Sequence, residues 1–377
     1  MFTYTLLQIL KVPGRSIQLM FSAFLVFALI FSAMAFEKGM SSSLDVSGDP
    51  LNVMVLGMGS EESVERSEID PAALAAVKSL PGLEKIFDQA AVSPEVVFNT
   101  SLKVGALEKE ALLRGVTPIA LGVYQHVSLE EGDFPRSGEV MVGRLFHQRF
   151  GLSPQEVSVG QHIEFEGRRF IISGRFRSPG NVMESEVWIN LGDIMALTQR
   201  DRYSSITLRL KEKDYGDVEL MVKRRQDLQL SAVPEPEYYR QLSSFYEPIR
   251  WMAWCTALLI ATGALFGGMN STFAALDGRK KEFATLQAIG YGQSRLAFSM
   301  LLESFLIHLS AFLLAGSITL YALPNISMGF GSVYFILQLG PEQLFSGLML
   351  AIIFSVVVTV IPIAHLLFPP LQTHLKD

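Results

Sequence analysis

The chain has 377 residues, 49% of them apolar and 18% charged, with a formal charge of −6 at pH 7. Such a composition belongs to a large buried fold or to a membrane protein, and the distribution of charge decides for the membrane. The single cysteine, Cys255, excludes a disulfide framework.

At the start, Phe2, Leu6, Ile9 and Leu10 recur at helical spacing ahead of Pro13-Gly14, so residues 1–15 read as a short amphipathic segment on the membrane surface. Residues 16–36 carry no charged side chain. About 20 apolar residues cross the hydrocarbon core, which makes this a first span. Ala33-Met34-Ala35 has the small-x-small form of a signal-peptidase site, but the apolar stretch exceeds an ordinary h-region, and we read a retained span.

Residues 37–247 hold 32 acidic and 23 basic side chains, a formal charge of −9 that argues against nucleic acid as a ligand. Their pattern is mixed α/β. Leu51–Leu56 reads as a strand. Pro71 opens a helix with Leu74, Val77, Lys78 and Leu80, and Pro81-Gly82 ends it. Within Ser137–Phe176 we expect a strand at Glu139–Val142 and a helix at Arg144–Phe150 closed by Gly151. A Val159–Ile163 step follows, and then a hairpin of Ile163–Phe165 with Arg169–Ser173 around Glu166-Gly167. Ser205–Lys211 alternates as a half-buried strand, Asp214–Arg225 reads as helix, and Leu228–Val233 as strand. Both ends of the region would build one subdomain and the insertion between them a second.

A second span falls in 249–276, marked at its outer interface by Tyr246, Trp251 and Trp254. Gly263 and Gly267 form a G-x-x-x-G face for close helix packing, within one subunit or across a dimer. The loop 277–295 is basic, with Arg279, Lys280, Lys281 and Arg295. A third span at 296–322 contains one charge, Glu303. Pro324, Asn325, Gly329 and Gly331 break an external loop at 323–342, a fourth span occupies 343–368, and residues 369–377 form a tail containing Lys376. Basic residues therefore place both termini and the 277–295 loop in the cytoplasm, with 37–247 outside. The fold class is an α-helical membrane protein of four transmembrane helices, with a large α/β two-subdomain extracytoplasmic domain inserted between helices 1 and 2.

The sequence contains no G-x-x-x-x-G-K-[ST] loop, no H-E-x-x-H and no G-x-S-x-G elbow, so we expect neither a catalytic residue nor a metal or cofactor site in this chain. In the 277–295 loop, Glu282 suits the positive end of a helix dipole. Phe283, Leu286 and Ile289 recur at i, i+3 and i+6 as an apolar face for a partner groove, and Gly290 lets the chain turn. Glu303, an acid inside a span, faces protein or water rather than lipid; we read it as a hydrogen-bonded structural group, with His308 close by in sequence.

The order Lys281-Glu282, Ala288-Ile289-Gly290, Leu302-Glu303 resembles the coupling region of MacB/LolC/FtsX-like ABC transporter permeases. Ala284 stands where that family usually has Gly, and Gln287 where it often has a basic residue. Ser137–Phe176 resembles the family's periplasmic core. The resemblance implies a non-catalytic permease subunit of the inner membrane that acts as a dimer, homo- or heteromeric. A separate cytoplasmic ATPase would bind ATP and Mg. Lys281, Glu282, Phe283, Leu286, Ile289 and Gly290 would couple to that ATPase. Spans one and two would carry the movement outward to drive export or extraction, with a membrane-fusion protein and an outer-membrane factor as further partners. A regulator of the FtsX type, activating a periplasmic cell-wall hydrolase, is the alternative; the size of 37–247 favours the transporter. Signal-relay permeases paired with a sensor kinase carry more spans.

Overall fold

The computed structural model describes Thr5, Lys11 and residues 13–323, 326–330 and 333–367. The pattern of Phe2, Leu6, Ile9 and Leu10, the breakers Pro324, Asn325 and Gly331, and the tail with Lys376 lie outside the described residues. Two compact units divide the chain. One comprises Met1–Gly39, Pro248–Ile326 and Leu337–Asp377; the other comprises Met40–Glu247 and Ser327–Ile336.

The charge-free first stretch forms helix α1 (Pro13–Ser47), which continues well past Phe36. Beyond it come β1 (Asn52–Gly57), α2 (Ala72–Lys78), and the small hairpin of β2 (Lys85–Ile86) and β3 (Gln89–Ala90). Next are the long strands β4 (Val92–Val104) and β5 (Leu107–Val116), α3 (Ala120–Val123) and β6 (Ser128–Gly132). The insertion continues with β7 (Glu139–Gly143), α4 (Phe146–Phe150), β8 (His162–Phe165), β9 (Arg168–Arg177), β10 (Val187–Asn190) and α5 (Leu191–Thr198). The domain closes with β11 (Ser205–Arg209), α6 (Gly216–Arg224), β12 (Leu230–Pro234) and α7 (Glu235–Phe245). The expected hairpin turn is present: Glu166 and Gly167 have φ of 48° and 72°, the left-handed pair that matches strand twist.

One sheet carries the domain, in the order β12-β1-β11-β4-β5-β10-β7-β9-β6, and β8 pairs with both β9 and β4. The pairing Lys103↔Glu164 thereby closes β4, β5, β10, β7, β9 and β8 on themselves. Two apolar cores result. The first joins Val53, Val55, Ile69, Val77, Ile206, Leu208 and Leu230. The second fills the closed part with Leu113, Val140, Phe146, Phe165, Ile172 and Ile189. The two regions are less separate than the sequence suggests, because β4 runs through both. Val92 packs in the first core and Val96 in the second.

After α7, α8 (Glu247–Gly278) is followed by α9 (Lys280–Ala288) and α10 (Gln293–Ala322). The segment expected as an external loop contains a hairpin of β13 (Ser327–Phe330) and β14 (Val333–Ile336), before α11 (Pro341–Leu367). This hairpin belongs to the domain unit: the Arg149 guanidinium lies 5.5 Å from the centre of the buried Tyr334 ring. Tyr334 also hydrogen-bonds Ser327. Among the described residues, α1, α8, α10 and α11 are the four helices long and apolar enough to cross a membrane. Within their unit, Phe27, Phe31, Phe312 and Ala315 pack together, and the Trp254 indole N–H donates to Glu37 Oε2 at 2.8 Å.

Candidate functional site

Gly278 ends α8, and Arg279 occupies the N-cap position of α9 with φ −107° and ψ 7°. Its guanidinium is a three-way link. It donates to Glu303 Oε2 of α10 at 3.0 Å, lies 3.4 Å from Glu282 Oε2, and stands 5.0 Å from the centre of the Phe283 ring. The bracket is sheltered, with the Arg279 side chain 13% exposed and that of Glu303 7%. A carboxylate among apolar helices is held there by charge-assisted hydrogen bonding rather than by solvent. Glu303 accepts a hydrogen bond from Arg279, a residue that sequence reasoning did not single out as a partner for it. The only signal was the triplet spacing Arg279…Glu282 on one helical face; the 24-residue gap to Glu303 carries none.

The apolar face of α9 is where expectation and structure part. Phe283 is 5% exposed and packs with Leu276, Leu296, Met300 and Ile363; Leu286 is half-buried against the same cluster. These two side chains anchor α9 to its own helix bundle instead of presenting themselves to a partner, because burying a phenylalanine is worth about 2–3 kcal/mol. What α9 leaves open is a different face: Lys281, Ala284, Thr285, Ala288 and Ile289 are exposed, and Glu282 is half-buried. Gly290 has φ 101°, a conformation that L side chains avoid, and turns the chain toward α10.

The glycine face of α8 also resolves. A methyl group placed on Gly263 or Gly267 would meet nothing within 4 Å, whereas one on Gly268 would meet Val358 of α11 at 3.2 Å. Close packing inside the unit uses Gly268, with Ala257, Thr272 and Leu276; the Gly263/Gly267 face is not used there. His308 is buried, its Nδ1 2.7 Å from the Ser304 carbonyl, as a local intrahelical contact.

In the domain, buried charge gathers where the chain enters and leaves. Arg209 pairs with Asp49 at 2.7 Å and Glu84 at 2.8 Å and donates to the Asn52 side chain at 3.1 Å. Glu235, fully buried at the start of α7, accepts from the Asp49 backbone N–H at 3.1 Å and from Asn52 Nδ2 at 2.9 Å. Burial pushes its carboxyl up to about 8, although both donors pull the other way. Arg114 bridges Glu95 and Glu186, each at 2.7 Å; burial outweighs that ion pair and pushes Glu95 upward. Ser47, the last residue of α1, accepts from the Val182 N–H at 3.0 Å. Asn181 Nδ2 lies 2.6 Å from His126 Nε2, and burial lowers the His126 pKa. Among the described residues no group of three or more His, Cys, Asp and Glu side chains could hold a metal ion.

The architecture is that of a multi-pass membrane protein with four apolar helices and one extracytoplasmic α/β domain inserted after the first. Residues 19–220 match the MacB-like periplasmic core domain, and residues 254–371 match the FtsX-like permease C-terminal family. The chain belongs to the MacB/FtsX-like family of ABC transporter permeases, a membership that implies an ATPase partner. Among solved structures it is similar to the periplasmic region of MacB from Actinobacillus actinomycetemcomitans, with 13% identity and a TM-score of 0.39 over 49% of this chain and 89% of that one. It is also similar to the extracellular domain of the noncanonic ABC-type transporter YknZ from Gram-positive bacteria, with 12% identity and a TM-score of 0.37 over 48% and 99%. No curated protein matches the sequence.

Proposed function

We propose that this chain is the non-catalytic membrane subunit that converts ATP-driven closure of a separate ATPase into displacement of its own outer domain, for export or extraction of a substrate. The observation that carries this reading is the Arg279 bracket. It ties α9, a short helix with one open face, to Glu303 inside α10, so force applied to α9 passes to a membrane helix without first breaking a flexible loop. Lys281, Glu282, Ile289 and Gly290 stay on the coupling side of the reading; Phe283 and Leu286 become its anchors. ATP and Mg belong to the ATPase, and no cofactor is assigned to this chain. The subunit works in the inner membrane as a homo- or heterodimer, with α9 and both termini in the cytoplasm. A fusion protein and an outer-membrane factor are its onward partners.

The test is to purify the intact protein from its native membrane in mild detergent, identify the associated ATPase by mass spectrometry, and measure nucleotide hydrolysis. Ile289→Asp and Ala284→Arg alter only the open face and should each reduce chain-dependent stimulation of hydrolysis by roughly tenfold, with normal insertion. Wild-type stimulation in both variants would remove α9 from the coupling role. Co-purification of a cell-wall hydrolase with the ATPase would transfer the same motion to hydrolase control.

A further inference from the structure

The hairpin of β2 and β3 pairs with no larger sheet, and its two-residue turn is Phe87-Asp88. Both residues are in the left-handed region, at φ 50° and 60°. A turn of this hand asks for Asn-Gly; a phenylalanine there meets a steric penalty that Gly or Asn avoids. The ring is also 95% exposed, so the strain gains no intramolecular packing. A strained, bulky apolar residue offered to solvent points to a contact outside the chain.

Beside the tip lies an open groove of about 870 Å³. Leu74, Ile86, Ile119, Leu191 and Tyr203 give it apolar walls, and Phe87 stands at its rim. Of the described residues lining it, Lys78 alone is charged, and Lys78 is exposed. The groove suits an apolar group next to a carboxylate. The tip of this same hairpin supplies that pair in consecutive residues.

We propose that this face joins the outer domains of two copies of the chain, with Phe87 of each copy entering the groove of the other and Asp88 meeting Lys78 across a two-fold axis. Because knob and groove share one face, the contact is isologous and closes at two copies. The inference does not rest on the coupling reading, since it requires neither ATPase nor nucleotide.

The experiment uses the full-length protein in nanodiscs, in a Cys255→Ser background. One population carries Lys78→Cys and a differently tagged one Asp88→Cys, treated with a short bismaleimide. The mixed pair should cross-link at least tenfold more than Lys78→Cys with itself. Adding Phe87→Asn, the residue this turn prefers, should reduce cross-linking at least tenfold while leaving the domain's thermal stability unchanged or raised. In cysteine-free protein, Lys78→Glu should weaken association of the copies, and Asp88→Lys added to it should restore association. Mixed-pair cross-linking no greater than the self-pair control would overturn the proposal. So would loss of domain stability in Phe87→Asn, which would make the ring structural. Capture of Asp88→Cys only by a different protein would overturn it as well.

Discussion

Glu235→Gln should make the outer domain more stable at alkaline pH than the wild type and leave it nearly unchanged at acid pH. Glu235 is fully buried, and its Oε2 already accepts from Asp49 N–H and Asn52 Nδ2, both of which a glutamine oxygen can receive equally well. Burial raises the carboxyl from 4.5 to about 8 in the fold. The folded state therefore holds a proton that the unfolded chain releases above 4.5. The stabilisation linked to that proton is fully present below pH 4.5 and is lost progressively as pH rises to about 8. At 1.36 kcal/mol per pH unit the ceiling is about 5 kcal/mol; with relaxation around the ionised group we expect about 2–3 kcal/mol between pH 5 and 8.5. The lowered pKa of His126 acts with the opposite sign, favouring the fold as pH rises through the histidine range, but it is common to both proteins and cancels in their difference. The assay is denaturant unfolding followed through the buried Trp188, in full-length protein with Trp251→Phe and Trp254→Phe. Parallel pH profiles for the wild type and the Glu235→Gln variant would refute the reasoning, since they would mean that the carboxylate is ionised in the fold.

Gly48→Ala should destabilise the domain by roughly 2 kcal/mol or more, because its methyl would stand 2.5 Å from Pro236 Cα, a backbone atom that cannot swing aside. Thermal melting measures it. Tyr334→Ala removes the ring under Arg149 and should expose the β13–β14 hairpin to limited proteolysis at least tenfold faster, consistent with about 3 kcal/mol for truncating a buried aromatic. At the coupling site, Glu303→Gln keeps an acceptor for Arg279 and should cost about 1 kcal/mol in detergent stability. Arg279→Ala cuts contacts to Glu303, Glu282 and Phe283 together and should cost about 3 kcal/mol. Wild-type stability in Arg279→Ala would show that the bracket carries no energy.

The spans and the placement of the outer domain were legible because hydrocarbon excludes charge residue by residue, a one-dimensional rule that leaves four charge-poor stretches in the text of the chain. The Glu166-Gly167 hairpin was legible for a similar local reason: its two positive φ angles restrict which residues can turn there. The α9 face shows where such reading stops. The spacing of Phe283, Leu286 and Ile289 identifies an apolar stripe, but periodicity does not say what the stripe meets. Two of the three residues turned inward, because Leu276, Leu296 and Met300 at the bundle end offer them an apolar surface to bury against.

The sequence by itself determined four membrane helices, an α/β domain between the first two, and a short polar helix joining the second to the third. Tertiary structure alone decided that Arg279 is the partner of Glu303, that β4 serves two cores, and that the hairpin between the last two helices docks under Arg149. Those pairings join residues far apart in the chain, whose meeting depends on how strands and helices pack in three dimensions, and no local pattern of residue types encodes it.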